Sequence, residues 1–151
     1  MARRDSQGVP VVLLVESAED DRAMYAEYLR LLAFDPIATD NTAEGLALAA
    51  RADVIVTGIR VHGPFDGLEL VRRLREEETT RTKPVLVLTA SAMEADHQRA
   101  RAAGCDAFLM KPCLPDELVA EIRRVMALRA VLRARPLRTD ENRPRSGRRL
   151  A

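Results

Sequence analysis

Aromatic side chains are scarce. The chain has no tryptophan, two tyrosines and three phenylalanines, so it lacks the stacked-ring platform with which single-stranded nucleic-acid binders hold bases. Cysteine is equally thin. Cys105 and Cys113 are the two, too few for a disulfide framework or a cysteine metal cluster, and they read as small half-buried thiols. The longest apolar run, Val9 to Val15, is seven residues long and contains Pro10, which is far short of a bilayer span. It is also a poor export signal: Arg3-Arg4 precede it, but it ends at Glu16 with acids close behind. The reading is therefore a cytoplasmic protein with no membrane contact. Only two histidines occur, His62 in a loop and His97 in a helical segment, and a Ser-His-Asp triad needs one at a strand end. No Gly-rich phosphate cradle follows the first apolar run, and no Gly-x-Ser-x-Gly elbow exists. Ordinary nucleotide-dependent and hydrolytic enzymes are disfavoured.

What is present suits one domain. The 151 residues have room for a buried core, and 47% of them are hydrophobic. The net charge of +1 conceals an imbalance. Residues 1–128 carry 16 basic and 21 acidic side chains, while 129–151 carry eight arginines against Asp140 and Glu141. With Pro136, Pro144 and Gly147 and few apolar residues, the last segment cannot offset its ordering entropy, and disorder is expected beyond about Arg135. The organisation predicted is an N-terminal arm (1–8), a domain (9–128) and an Arg-rich extension (129–151) that starts with the end of the last helix. The extension reads as a solvated tail, or as an arm for phosphates or an acidic partner.

Four short apolar runs are continuous rather than alternating: Val11–Val15, Val54–Val56, Val85–Leu88 and Phe108–Met110. Strands buried on both faces of a parallel sheet have this pattern. Ile37-Ala38-Thr39 after Pro36 reads as an edge strand. Helical stripes lie between them: Asp20–Ala33 with Ser17 as cap, Thr42–Ala50 with Thr42 as cap, Leu68–Glu78, Ala92–Ala103 stopped by Gly104, and a last helix from Pro115. Five βα units with short connections give an α/β, flavodoxin-like, doubly wound parallel sheet of strand order 2-1-3-4-5, helices on both faces. The functional crevice of such a sheet lies at the carboxyl ends of its strands. That rule selects Glu16 and Ser17, Gly58, Thr89 and Lys111.

These segments, in this order, resemble the receiver domain of two-component response regulators over roughly residues 9–128. The resemblance is carried by Val11–Glu16 with Glu19-Asp20, by Asp53–Arg60, by Asp66-Gly67-Leu68-Glu69-Leu70, by Pro84–Ala90, and by Gly104–Pro112 with its Lys111-Pro112 dipeptide. It implies four parts: an aspartate that takes a phosphoryl group, an acidic pair that helps hold Mg²⁺, a Thr or Ser that hydrogen-bonds the phosphoryl group, and a Lys that pairs with it. Thr89 and Lys111 match the last two, and Phe108 matches the aromatic switch position that follows the Thr.

The centre departs from the pattern. Gly58 stands at the phosphoacceptor position and has no side chain, and Ser17 stands where the second metal-binding carboxylate belongs. Glu16 alone makes a weak Mg²⁺ site, since charge count drives affinity, so no cofactor is expected. Thr57 should point to the other face, Asp53 opens the strand at its far end, and Asp66 is the ordinary Asp-Gly before a helix. None is a good substitute acceptor. Gly58 reads as serving either a backbone conformation closed to aspartate or local flexibility. The loop from Gly58 to Gly67 holds three glycines and Pro64 and is one residue longer than the commonest receiver form. Lys111 is expected to face Glu16 alone, directly or through water, without a metal.

The reading is a degenerate, non-enzymatic receiver-like signalling module that binds protein partners without phosphorylation. A sensor kinase or a downstream effector is the partner class. The resemblance implies a contact face on the fourth helix, fifth strand and fifth helix, with His97, Arg101, Phe108, Glu121 and Arg124 on it; a homodimer on that face is a further option. Two alternatives are a working phosphorelay receiver with a substitute acceptor, and nucleic-acid or acidic-partner binding through the Arg-rich tail. No DNA-binding domain fits within that tail.

Overall fold

A computed structural model describes residues 8–134. Five parallel strands, β1 (Val11–Val15), β2 (Asp35–Thr39), β3 (Val54–Thr57), β4 (Val85–Thr89) and β5 (Ala107–Met110), form one sheet in the order β2-β1-β3-β4-β5. The register runs Val11↔Asp35, Val12↔Val54, Ile55↔Val85 and Leu86↔Ala107. Five helices connect and follow them: α1 (Glu19–Leu31), α2 (Thr42–Leu48), α3 (Gly67–Glu76), α4 (Glu94–Ala103) and α5 (Pro115–Ala134). The predicted arm lies almost wholly, and the tail beyond Ala134 entirely, outside the described residues. Among the described residues, no helix is long and apolar enough to cross a membrane.

The continuous apolar runs are explained by burial on both faces. Val12, Leu14, Val54, Val56, Leu86 and Leu88 pack on α1 and α5 through Tyr25, Leu29, Leu118, Ile122 and Val125. Their neighbours Val11, Leu13, Val15, Ile55, Val85 and Val87 pack on the other side, against Leu68, Leu70, Val71 and Leu74 of α3 and Ala100 of α4. β1, β3 and β4 thus send alternate side chains into two separate cores. β2 is the edge strand expected, and it starts two residues earlier than predicted, with Pro36 tolerated because an edge leaves one side unpaired.

Helix starts differ from expectation because side-chain acceptors take the caps only where the fold brings them near. Ser17 is not the cap of α1; Ala18 holds that position without a side-chain bond, and the first turn is acidic (Glu19, Asp20, Asp21). Asn41, not Thr42, caps α2, accepting from Ala43 N and Glu44 N. Asp66 caps α3, accepting from Glu69 N at 2.8 Å, so that α3 starts one residue early, and it ends at Glu76 rather than Glu78 because Glu77 is extended. α4 begins at Glu94 rather than Ala92, with extended Met93 before it, and stops at Gly104, whose φ of 106° is left-handed as a C-terminal stop requires.

Candidate functional site

The strand ends bring four of the sequence-selected residues, Glu16, Gly58, Thr89 and Lys111, to one cleft of about 380 Å³, which Arg60 and Met93 also line. Backbone pairing sets the floor. Gly58 N donates to Val15 O at 2.9 Å, and Lys111 N donates to Thr89 O at 2.8 Å. These bonds carry the ladder one residue past each strand and fix the spacing of the site.

Glu16 and Lys111 meet, with Lys111 Nζ 3.0 Å from Glu16 Oε1. Lys111 does not face Glu16 alone: Asp21 Oδ2, from the first turn of α1, lies 2.7 Å from the same ammonium. Asp21 was missed because its reach depends on how α1 leaves the sheet, although a third acid in the first turn was visible in the sequence. Burial works against the Lys111 charge, but hydrogen bonds to Asp21 and Glu16 outweigh it and hold the ammonium above its ordinary value. The second oxygen of Glu16 is also engaged, accepting from Ala18 N at 2.9 Å.

Ser17 turns away from the cleft floor. Its hydroxyl donates to Arg60 O at 3.3 Å and accepts from His62 N at 3.1 Å. It ties down the β3–α3 loop, which is also held to α2 by Thr42 N to His62 O (2.9 Å) and Thr42 Oγ1 to Phe65 O (2.8 Å). A Mg²⁺ ion needs several free oxygens, preferably charged. Here both oxygens of Glu16 and the Ser17 hydroxyl already have partners, and the described residues hold no group of three acidic, His or Cys side chains suited to a metal. The two carboxylates at the site, Glu16 and Asp21, are both turned to Lys111.

Gly58 corrects one expectation. Its φ is not in the left-handed region, so its backbone is open to any residue. A Cβ placed there meets Val61 Cγ2 at 3.4 Å, Leu88 O at 3.6 Å and Glu16 Oε1 at 3.9 Å, ordinary contacts at the mouth of the cleft. The position has room for a Cβ on a backbone that aspartate can adopt. Gly67 is the glycine the backbone demands: a Cβ there would lie 1.6 Å from Gly58 O. Thr57 is buried on the opposite face, where its hydroxyl donates to Gly58 O at 2.9 Å. Asp53 accepts from Val11 N at 2.8 Å at the far end of the sheet. Asp66 caps α3 and pairs with Arg99 at 3.0 Å. None of the three reaches the Gly58 position.

Thr89 is buried and its hydroxyl accepts from Ser91 N at 3.1 Å; Ser91 Oγ in turn donates to Asp96 at 2.5 Å. Phe108 is half-buried and stacks on His97, ring centroids 3.9 Å apart at 36°. Cys113 is buried and Cys105 half-buried, both as free thiols.

Known proteins share this architecture. Residues 4–123 match the family model of the response regulator receiver domain. The polar-differentiation response regulator DivK of Brucella anthropi is 31% identical over 114 residues, which are 74% of this chain and 92% of that protein. DivK of Brucella ovis is 30% identical over the same coverage. Among solved structures, the receiver domain of the sensor histidine kinase PA1611 from Pseudomonas aeruginosa, with a magnesium ion in its active-site cleft, superimposes with a TM-score of 0.72 at 27% identity, covering 78% of this chain and 98% of that one. The Vibrio cholerae chemotaxis protein CheY4 gives the same TM-score, identity and coverage.

Proposed function

The chain belongs to the response regulator receiver family, and from that premise we propose that it is a cytoplasmic, non-enzymatic signalling module of the family that acts through protein contacts without being phosphorylated. The observation that carries this reading is the state of the cleft. The acceptor position is Gly58, and the groups around it are partnered within the chain: Lys111 by Glu16 and Asp21, Glu16 by Ala18 N, Ser17 by the β3–α3 loop. A phosphoryl group would find no nucleophile there. Its cationic partner is already neutralised by two carboxylates.

The partner class is a sensor kinase or a downstream effector. The face of α4, β5 and α5 supplies the contact surface, with the His97–Phe108 stack, Arg101 and the Glu121–Arg124 pair. Thr89 lines the cleft and Phe108 stacks on His97 of α4, and any coupled shift of the two must be driven by a partner that binds one arrangement better than the other.

The test is intact mass after incubation with a small phosphodonor and Mg²⁺. The native chain should gain no stable phosphoryl group, and a stable gain overturns the reading. The double variant Ser17→Asp, Gly58→Asp should gain one, because the Gly58 position has room for a Cβ and the second carboxylate restores charge for the metal.

A further inference from the structure

One buried side-chain polar atom among the described residues is left without a hydrogen-bond partner: Nε2 of His97, on α4. Buried nitrogens are almost always paired, and an orphan costs free energy that the fold must offset elsewhere. Here the ring stacks on Phe108, with centroids 3.9 Å apart. The two rings line a pocket of about 260 Å³ between α4 and β5, together with Arg101, Cys105, Asp106 and Ala107. That volume is several times the ~30 Å³ that one molecule occupies in liquid water, enough for a small organic ligand. The charges around it are unequal. Asp106, its one carboxylate, is spent: Oδ2 accepts from Arg75 and from Val85 N, and Oδ1 accepts from Arg129. Glu121 of α5 is paired with Arg124. Arg101 is exposed and forms no ion pair among the described residues. Arg75, Arg129 and Arg101 thus outnumber Asp106, and the pocket attracts an anion.

We propose that this pocket binds a small organic acid, one carboxylate on a short apolar body, through Arg101 and His97. A guanidinium fork matches a carboxylate with two parallel N–H donors. The imidazole, in its Nε2–H form, turns slightly on its stack and donates to the same group, so the orphan atom gains an acceptor. Ala107, Phe108 and Cys105 give the rest of the ligand an apolar wall. One unpaired cation balances one charge, so a phosphate dianion is the poorer match. The consequence for signalling rests on the reading that the Gly58 cleft is not phosphorylated. Such a module needs another input, and a ligand beside the His97–Phe108 stack holds that pair in one arrangement. The site itself does not depend on the state of the cleft.

Titration of the full chain, followed by the NMR signals of the His97 imidazole and the Phe108 ring, tests the proposal. Benzoate is the probe, with benzamide as its neutral counterpart and inorganic phosphate as the competing anion, all at constant ionic strength. Benzoate should shift both rings saturably with a Kd on the order of 1 mM. Benzamide and phosphate should bind at least about tenfold more weakly. Arg101→Gln should weaken benzoate by about tenfold or more at an unchanged melting temperature, since that side chain is exposed. His97→Phe keeps an aromatic stack and removes the orphan nitrogen, so it should lose benzoate affinity without lowering the melting temperature. The proposal is overturned by the absence of a saturable shift up to about 20 mM benzoate, by equal binding of benzamide, by tighter binding of phosphate, or by benzoate affinity that survives either variant. A phosphoryl gain in the mass experiment overturns phosphorylation independence and leaves these affinities standing, so the two failures are distinguishable.

Discussion

Lys111 carries the clearest consequence at the scale of one residue. Its ammonium sits between two carboxylates, Glu16 and Asp21, which face each other across it. Lys111→Met keeps the length of the stem and removes the charge. The two acids then repel without a cation between them, at a site partly open to water, which should cost about 2 kcal/mol in a urea melt at neutral pH. The alkaline limb tests the same contact. Lys111 is raised by its partners, and Tyr25 is pushed from 10.0 up to about 12, by burial first and then by the nearby Cys113, Asp21 and Glu16. A raised folded value means stability that is whole below the ordinary value and lost as pH rises through the folded one. The native protein should therefore weaken progressively above about pH 10, and Lys111→Met should lose its share of that slope while Tyr25 retains its own. Stability of the variant that parallels the native curve at every pH would show that the contact is idle. The Glu16–Lys111 contact was legible because both residues follow strand ends that the fold rule brings together. Asp21 was not, because a helix's first turn reaches the cleft only through its exit angle. Nor was the fate of Ser17, whose hydroxyl could serve a helix cap, a metal or a loop.

Among elements, the β3–α3 connection is the one most tightly constrained. Gly67 N donates to Ile59 O at 2.7 Å, and Gly58 O passes so close that no Cβ fits. Gly63 adds a second constraint: its φ is 125°, and a Cβ there would lie 2.4 Å from Thr42 Oγ1. Gly67→Ala must push α3 off the end of β3, and since α3 buries Leu68, Leu70, Val71 and Leu74, the cost should be at least about 3 kcal/mol by thermal melt. Ser17→Ala acts more gently. It removes the hydroxyl from Arg60 O and His62 N, so amide exchange of the loop backbone from Arg60 to Gly63 should speed up while exchange in β1 and β3 stays unchanged. Equal protection in the loop would leave Ser17 without the role its hydrogen bonds describe. Strands were easier to read than helix starts for a physical reason. A continuous apolar run has one low-energy fate, burial on both faces. A cap is chosen among neighbouring Ser, Thr, Asn and Asp by backbone direction: Asn41 took α2, leaving Thr42 to bind Phe65 O across the loop.

Across the whole molecule, the short connections between apolar runs made the strand order legible, but α5 beyond the core could not be placed from periodicity alone. Its position depends on Asp106, at the foot of β5. That carboxylate accepts from Val85 N at 2.9 Å, pairs with Arg75 of α3 at 2.9 Å and pairs with Arg129 of α5 at 2.9 Å. Arg75 also donates to Gly104 O, Arg81 O and Lys83 O. Burial pushes its guanidinium down, the neighbouring Arg129 adds to this, and Asp106 opposes both. Two cations are therefore held together by one half-buried anion. Asp106→Asn keeps the shape and an acceptor for Val85 N but leaves the cations unbalanced, which should cost about 3 kcal/mol. The damage should have a direction. Arg129 is the less buried partner and can swing into water, so the end of α5 should loosen first, with faster amide exchange over residues 126–134. Removing the excess cation as well, in Asp106→Asn with Arg129→Gln, should recover part of the lost stability because the two sites are coupled, yet should leave the helix end loose, since nothing then ties Arg129's position to β5. If stability and helix-end protection return together, the hub serves only to balance charge, and the orientation of α5 is fixed elsewhere.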